Sequence, residues 1–206
     1  KITVFGRTAH GALPWEGANA IEGIGHVIVA LSKELQPQLA ERTHPYFKPS
    51  SASVNLIDGG VKANVVPDRC SIFIDRRLVP GEDPAETTAE IRLIAEQAIA
   101  GLPGMSVVVE NPQEAIPATM SDPDGALVKA MVSANGYLGF STELTGFSMA
   151  TDGRHFAARG IPTIIYGPGD PKLAHVPDEW VGIDEVLDAT RAYALAALAL
   201  LGPGGE

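Results

Sequence analysis

Two stretches with apolar residues at helical spacing, each set between strand-type runs, constrain the first half of this chain more than any other feature. Ala20, Ile21, Ile24, Val27, Ile28, Leu31 and Leu35 recur every three or four residues, the pattern of a helix that buries one stripe. A second helix starts at Asp83-Pro84, with Asp as the cap, Pro at the first helical position and Glu86 three residues after the cap. Its stripe is Ile91, Ile94, Ala95 and Ala98, and Gly101 stands at its end. Lys1–Arg7, Ser51–Ile57, Cys70–Leu78 and Met105–Glu110 read as strands, and Asp58-Gly59-Gly60 as a turn between the middle two. The order is β-α-β-β-α-β, which predicts a ferredoxin-like sandwich over residues 1–113, with both helices on one sheet face and the other face open.

Residues 111–123 read as a linker with three prolines. Beyond it, the pattern over 114–206 predicts a helix near Asp124–Ala134 closed by Gly136, a strand at Ser141–Leu144 and a short helix from Asp152. A strand at Pro162–Tyr166, a loop Gly167–Trp180 and a final helix Asp184–Leu201 follow, the last with a buried apolar end at Ala192–Leu201. This alternation belongs to an open α/β sheet, but two strands are too few to form one, so partner strands are expected elsewhere. The chain opens at Lys1 inside a strand-like run, with neither an initiator Met nor a signal pattern, and further residues are therefore expected upstream.

Composition narrows the function classes. The formal charge of −10 argues against nucleic-acid binding and suits either a cationic substrate or simple solubility. No run of about 18 apolar residues is present to span a membrane. One cysteine, Cys70, leaves no intrachain disulfide and no thiolate metal cluster, and fits a cytoplasmic location.

Four residues carry the candidate chemistry. His175, in the loop after the presumed strand 162–166, lies where open α/β sheets place their sites; it is either a metal ligand, with Asp178 or Glu179 fixing its ring, or a surface histidine. His10, in Gly6-Arg7-Thr8-Ala9-His10-Gly11, either donates a hydrogen bond to a developing oxyanion or merely occupies a turn. Asn64 opens Asn64-Val65-Val66-Pro67-Asp68. In the strand ending Asp75-Arg76-Arg77, alternation puts Arg76 with Ile72 and Ile74 on the covered face. Arg77 then faces outward, free to hold a carboxylate or to pair with Asp75 or Glu82. Thr151-Asp152 is explained equally by helix capping.

Taken in order, these motifs resemble those of the family of acetylornithine deacetylase, succinyl-diaminopimelate desuccinylase, aminoacylase and glutamate carboxypeptidases. They are Gly-x-x-Ala-His with Pro and Asn-Ala-Ile after it, Asn-Val-Val-Pro, Asp-x-Arg, Thr-Asp, and Gly-Pro-Gly through Ala-His-x-Pro-Asp-Glu. The resemblance implies a dimerisation lid at 1–113 and the C-terminal segment of a zinc-hydrolase catalytic domain at 114–206. It implies that His10 polarises the scissile carbonyl across a homodimer, that Asn64 and Arg77 bind the substrate's carbonyl and carboxylate, and that His175 is a metal ligand. The reaction implied is hydrolysis of the amide of a small N-acyl amino acid with two zinc ions, for which cobalt or manganese could substitute. The family's His-x-Asp and Glu-Glu ligand pairs have no match here, so this stretch alone is expected to be inactive. The Gly-Pro-Gly loop resembles the deacetylase branch and Thr-Asp-Gly-Arg the desuccinylase branch. An aminopeptidase or carboxypeptidase of the same family, or a non-catalytic dimerisation or amino-acid-binding module, are the alternatives.

Overall fold

The alternating runs of the first half fold into one sheet. A computed structural model describes residues 1–113, 115–147 and 149–202, which divide into two compact units, Lys1–Ala118 and Thr119–Glu206. In the first, β1 (Ile2–Phe5), β3 (Ser51–Gly59), β5 (Arg69–Arg77) and β6 (Ser106–Val109) form a four-stranded antiparallel sheet in the order β3-β5-β1-β6. A two-stranded ribbon joins β2 (Ala9–His10) to β4 (Val65–Val66). Helices α1 (Ala20–Ala30), α2 (Gln36–Glu41) and α3 (Pro84–Ile99) complete the unit, and α1 and α3 pack on the sheet as the split βαβ order requires.

Local chemistry fixes the helix ends. The Asn19 carboxamide accepts from the amides of Ile21 and Glu22, and the Asp83 carboxylate from those of Ala85 and Glu86. The first helical run extends past Leu35, where the periodicity alone stops. A π-helical turn at Leu31–Leu35 widens the backbone immediately before Pro37, whose ring would clash with an ordinary α-helical turn, and the chain continues as α2. The stripe residues Ile24, Val27, Leu31 and Leu35 meet Ile91, Ile94 and Ala95 over Ile2, Val4, Cys70 and Ile72 in the core. Burial pushes the Cys70 thiol up, so it packs as a small apolar group rather than a nucleophile.

Arg76 lies on the covered side, as alternation requires, and joins a charge cluster at the far end of β5. Its guanidinium bonds to the Arg77 carbonyl and to Glu82. Glu82 also receives Arg42 at 3.0 Å, the Ser50 hydroxyl at 2.5 Å and the Val79 amide at 2.8 Å, while Arg42 reaches Glu90 at 2.5 Å. Burial pushes the Glu82 carboxyl up, but the hydrogen bonds from Ser50, Val79, Arg42 and Arg76 together outweigh it and hold the carboxyl below its ordinary value. A depressed carboxyl contributes stability that is present above its unfolded pKa, about 4.3, and is lost as pH falls through the folded value. Glu82→Gln should therefore cost about 1.5–3 kcal/mol at neutral pH. Its thermal midpoint should also fall less steeply than the parent's on acidification. Parallel melting curves for the two proteins across the acid range would exclude this role.

The second unit contains α4 (Ala126–Leu138), α5 (Gly153–Ala157) and α6 (Ile183–Leu201). Helices α4 and α6 meet along a seam of four alanines and a methionine, Ala130, Met131, Ala134, Ala192 and Ala196, with Ile164 and Tyr166 against it. Three expectations are corrected here. Helix α4 runs past Gly136 and ends at Gly139, which takes the left-handed conformation (φ 75°), because Leu138 still belongs to the apolar stripe. Among the described residues, 141–144 and 162–166 join no ladder and so form no strand, which is defined by a neighbour to bond with. Helix α6 buries only its alanine face, and Leu198 and Leu201 are exposed. Among the described residues, no helix is long and apolar enough to cross a membrane.

Candidate functional site

The ribbon β2–β4 brings two of the four candidates together. His10 pairs with Val65, and the Gly11 amide donates to the Asn64 carbonyl at 2.8 Å. A Cβ on Gly11 would sit 3.0 Å from the Asn64 carbonyl group, so the close crossing needs glycine. Both His10 and Asn64 are exposed at this tip. The His10 ring is not free to choose its tautomer: Nδ1 accepts the Ala12 amide at 3.1 Å. In the neutral ring the proton then sits on Nε2, which is left as a donor. The segment behind it is stiff, with a 3-10 turn at Pro14–Glu16 whose last carbonyl accepts from Arg7 Nε at 2.9 Å.

Arg77 is elsewhere. Gly6 N bonds to Asp68 O at 2.8 Å, which ties the His10 tip to the start of β5, whereas Arg77 is the last residue of that strand and pairs with Ser51. Eight residue steps at strand rise separate the two ends by about 26 Å. Arg77 faces outward with its side chain 55% exposed, and its guanidinium contacts Asp75 at 2.8 Å. That exposed pair holds the fork weakly. Glu82, the other acid within sequence reach, is occupied by Arg76 and Arg42.

In the second unit the loop 167–180 is shaped by three backbone-to-carboxylate bonds. Gly169 N donates to Glu185 Oε2 at 2.8 Å, Lys172 N to Asp170 Oδ1 at 2.9 Å, and His175 N to Glu179 Oε2 at 3.0 Å. Glu179 thus takes the backbone amide of His175 rather than its ring. His175 and Asp178 both have left-handed backbones, φ 64° and 59°, an unfavourable state for residues with a side chain. An open groove of about 280 Å³ lies beside Gly167–Gly169, bordered by Phe140, Tyr166, Glu185 and Asp188. At the turn before α5, Asp152 stands at the cap position but makes no capping bond from its side chain.

Among the described residues, no group of three or more His, Cys, Asp or Glu side chains is arranged to hold a metal ion. His175 is exposed, and its ring is engaged by no described residue, so it can offer one ligand and not a site.

Residues 1–101 match the model of a peptidase dimerisation domain, the M20 type. The chain is 32% identical over 197 residues to a protein of Mycobacterium tuberculosis named for succinyl-diaminopimelate desuccinylase, covering 93% of this chain and 51% of that one. Residues 1–101 belong to the M20 dimerisation-domain family. Other relatives align similarly: an acetylornithine deacetylase of Myxococcus xanthus at 26% identity, over 95% of this chain and 51% of the relative. A deformylase of N-formyl-4-amino-5-aminomethyl-2-methylpyrimidine from Bacillus subtilis is 30% identical, over 85% of this chain and 44% of the relative. The M20 fold is shared with a solved tripeptidase from Staphylococcus aureus (TM-score 0.74, 22% identity, 95% of this chain and 49% of that one). It is shared as well with an M20 family metallo-carboxypeptidase from Sulfolobus solfataricus (TM-score 0.60, 16% identity, 95% and 56%). The chain spans about half the length of the curated relatives it matches. Two features of this chain were beyond sequence reading: the Ala12 amide on His10, and Arg154, whose Nε is buried without a partner. Neither has a signal in residue order, because each depends on how a turn closes.

Proposed function

We propose that this chain is the lid and part of the catalytic domain of a metal-dependent amidohydrolase that cleaves the amide of a small N-acyl amino acid. The observation that supports it best is His10, exposed at the tip next to Asn64, whose Nδ1 accepts the Ala12 amide so that the neutral ring carries its proton on Nε2. That is the state needed to donate to a carbonyl oxygen as it gains charge. His10 and Asn64 would hold the scissile carbonyl, and Arg77 the substrate carboxylate. Since the two ends of β5 are farther apart than a small N-acyl amino acid is long, one substrate would take Arg77 from one subunit and His10 with Asn64 from its twin. A homodimer follows as part of the reading, in keeping with the dimerisation domain of residues 1–101.

His175 is proposed as a single metal ligand, the others lying in polypeptide that the longer relatives possess. Zinc is the metal proposed, two ions per site, with cobalt or manganese as substitutes; when bound it would supply the activated water. A cytoplasmic enzyme fits the single buried cysteine.

The test is an assay of a protein of the relatives' full length with N-acetyl-ornithine, N-succinyl-diaminopimelate, neutral N-acyl amino acids and dipeptides. Hydrolysis of an N-acyl amino acid should be abolished by a chelator and restored by zinc, and Arg77→Ala should raise KM about tenfold or more with kcat little changed. Cleavage of dipeptides alone would assign a peptidase instead. No hydrolysis, or hydrolysis indifferent to chelation, would overturn the proposal.

A further inference from the structure

Arg77 closes a strand, and its exposed contact with Asp75 is too open to aim it. What fixes its backbone is a carboxylate to which it is not paired. Glu82 holds the chain on three sides of Arg77. Before it, the Arg76 guanidinium donates both to Glu82 and to the Arg77 carbonyl. After it, the Val79 amide donates to Glu82 Oε2, and the Glu82 amide returns to the Val79 carbonyl at 3.1 Å. That turn runs through Gly81 at φ 98°, a conformation that glycine takes freely. Across the ladder, the Ser50 hydroxyl donates to the same carboxylate, and the next residue, Ser51, is the one that pairs with Arg77.

The Arg76 and Glu82 side chains are only 10% and 11% exposed, and Arg76 Nε is buried without a partner. Charges so buried are an inefficient source of stability, because desolvation offsets their attraction; what they secure is a single geometry. Arg42, shared between Glu82 and Glu90, completes the balance of two cations and two anions. Glu82 therefore has no charge left to draw Arg77 inward. We propose that Glu82, acting through Arg76, is a positioning residue for Arg77, holding the backbone that aims its guanidinium at the substrate carboxylate. This rests on the amidohydrolase reading above, in which Arg77 binds that group. A planar fork grips a carboxylate bidentately only when it is correctly aimed, so a loosened backbone weakens that grip and leaves the chemistry at the amide unchanged.

The experiment is a double-mutant cycle, read as KM and kcat in a protein of the relatives' full length. Glu82→Gln, Arg77→Ala and the double variant are compared with the parent on an N-acyl amino acid and on the matching N-acyl amine, which lacks the α-carboxylate. Alone, Glu82→Gln should raise KM for the amino acid about three- to tenfold, with kcat within about twofold, and leave KM for the amine unchanged. In the Arg77→Ala background it should add nothing. Arg76→Met should reproduce the pattern of Glu82→Gln, and Arg76→Lys should recover part of the loss. Circular dichroism and thermal melting check that each variant folds. If Glu82→Gln does not, Ser50→Ala, which takes a single bond from the carboxylate, replaces it in the cycle with a smaller rise in KM. Penalties that add in the double variant, or that fall equally on the amine, would make the cluster a support for the fold alone and overturn the proposal. An unchanged KM in Glu82→Gln or Arg76→Met would overturn it too. A parent that hydrolyses neither amide fails the underlying reading, and the proposal with it.

Discussion

His10→Ala, in a protein of the relatives' full length, should lower kcat by about 10²–10³-fold while leaving the melting temperature within a few degrees of the parent's. The ring is exposed, so its loss removes little packing, and water can replace it as acceptor for the Ala12 amide. His10→Gln, which retains a donor without the imidazole's fixed aim, should fall between the two. The distance along β5 adds a sharper form of the test. If His10 serves the twin's substrate while Arg77 serves its own, mixing His10→Ala with Arg77→Ala subunits creates hybrids with one intact and one doubly damaged site. At equal mixing, half the dimers are hybrids, and about a quarter of parental activity should return. Full activity in the single variant would remove His10 from the mechanism, and a mixture no more active than its parts would refute the exchange between subunits.

The second large effect is expected at the sheet edge. Strand β3 is nine residues long and open on one side, and Leu56, Ile57 and Val61 on and just beyond it are 64%, 61% and 88% exposed. Ile21 on α1 is exposed too, and its side chain touches the Gly60 turn, which extends the apolar strip onto the helix layer. An edge this long and apolar invites pairing. An isologous pairing of β3 with its twin would count each of these side chains twice, so Ile57→Asp should raise the dimer dissociation constant by about 10²–10⁴-fold. Sedimentation velocity across a dilution series reads this directly. A parent chain that stays monomeric at high concentration, or a variant that dimerises as tightly, would exclude β3 as the seam. Loss of activity should accompany dissociation, because each substrate would lose its His10.

How much of this was legible in the sequence depends on how local the governing physics is. The cap at Asp83, the stripes of α1 and α3, and the opposite faces of Arg76 and Arg77 follow from neighbours within a few residues, and the structure has them as read. The helix past Pro37 was not legible, since it depends on a widened turn that the period cannot show. Gly136 reads as a stop, but packing of Leu138 carries the helix on to Gly139. The expected strands 141–144 and 162–166 and the exposure of Leu198 and Leu201 are questions of what lies alongside, which no local pattern encodes. At the candidate site, residue identity pointed to His10 and His175, but the acceptor role of His10 Nδ1 and the left-handed backbone of His175 belong to turn geometry. The grouping of Arg42, Glu82 and Glu90 spans some forty residues of chain and emerges only when α2 meets the start of α3.

The two rims of the sheet are unlike, and that decides how far assembly can go. On the side away from β3 the last strand is β6, only four residues long. Once two copies join through β3, what faces outward at both ends is this short rim, which offers few amide and carbonyl groups to a newcomer. Growth through the sheet would then halt after a single doubling, leaving a polypeptide adhesive enough to find its twin yet resistant to stacking into fibres.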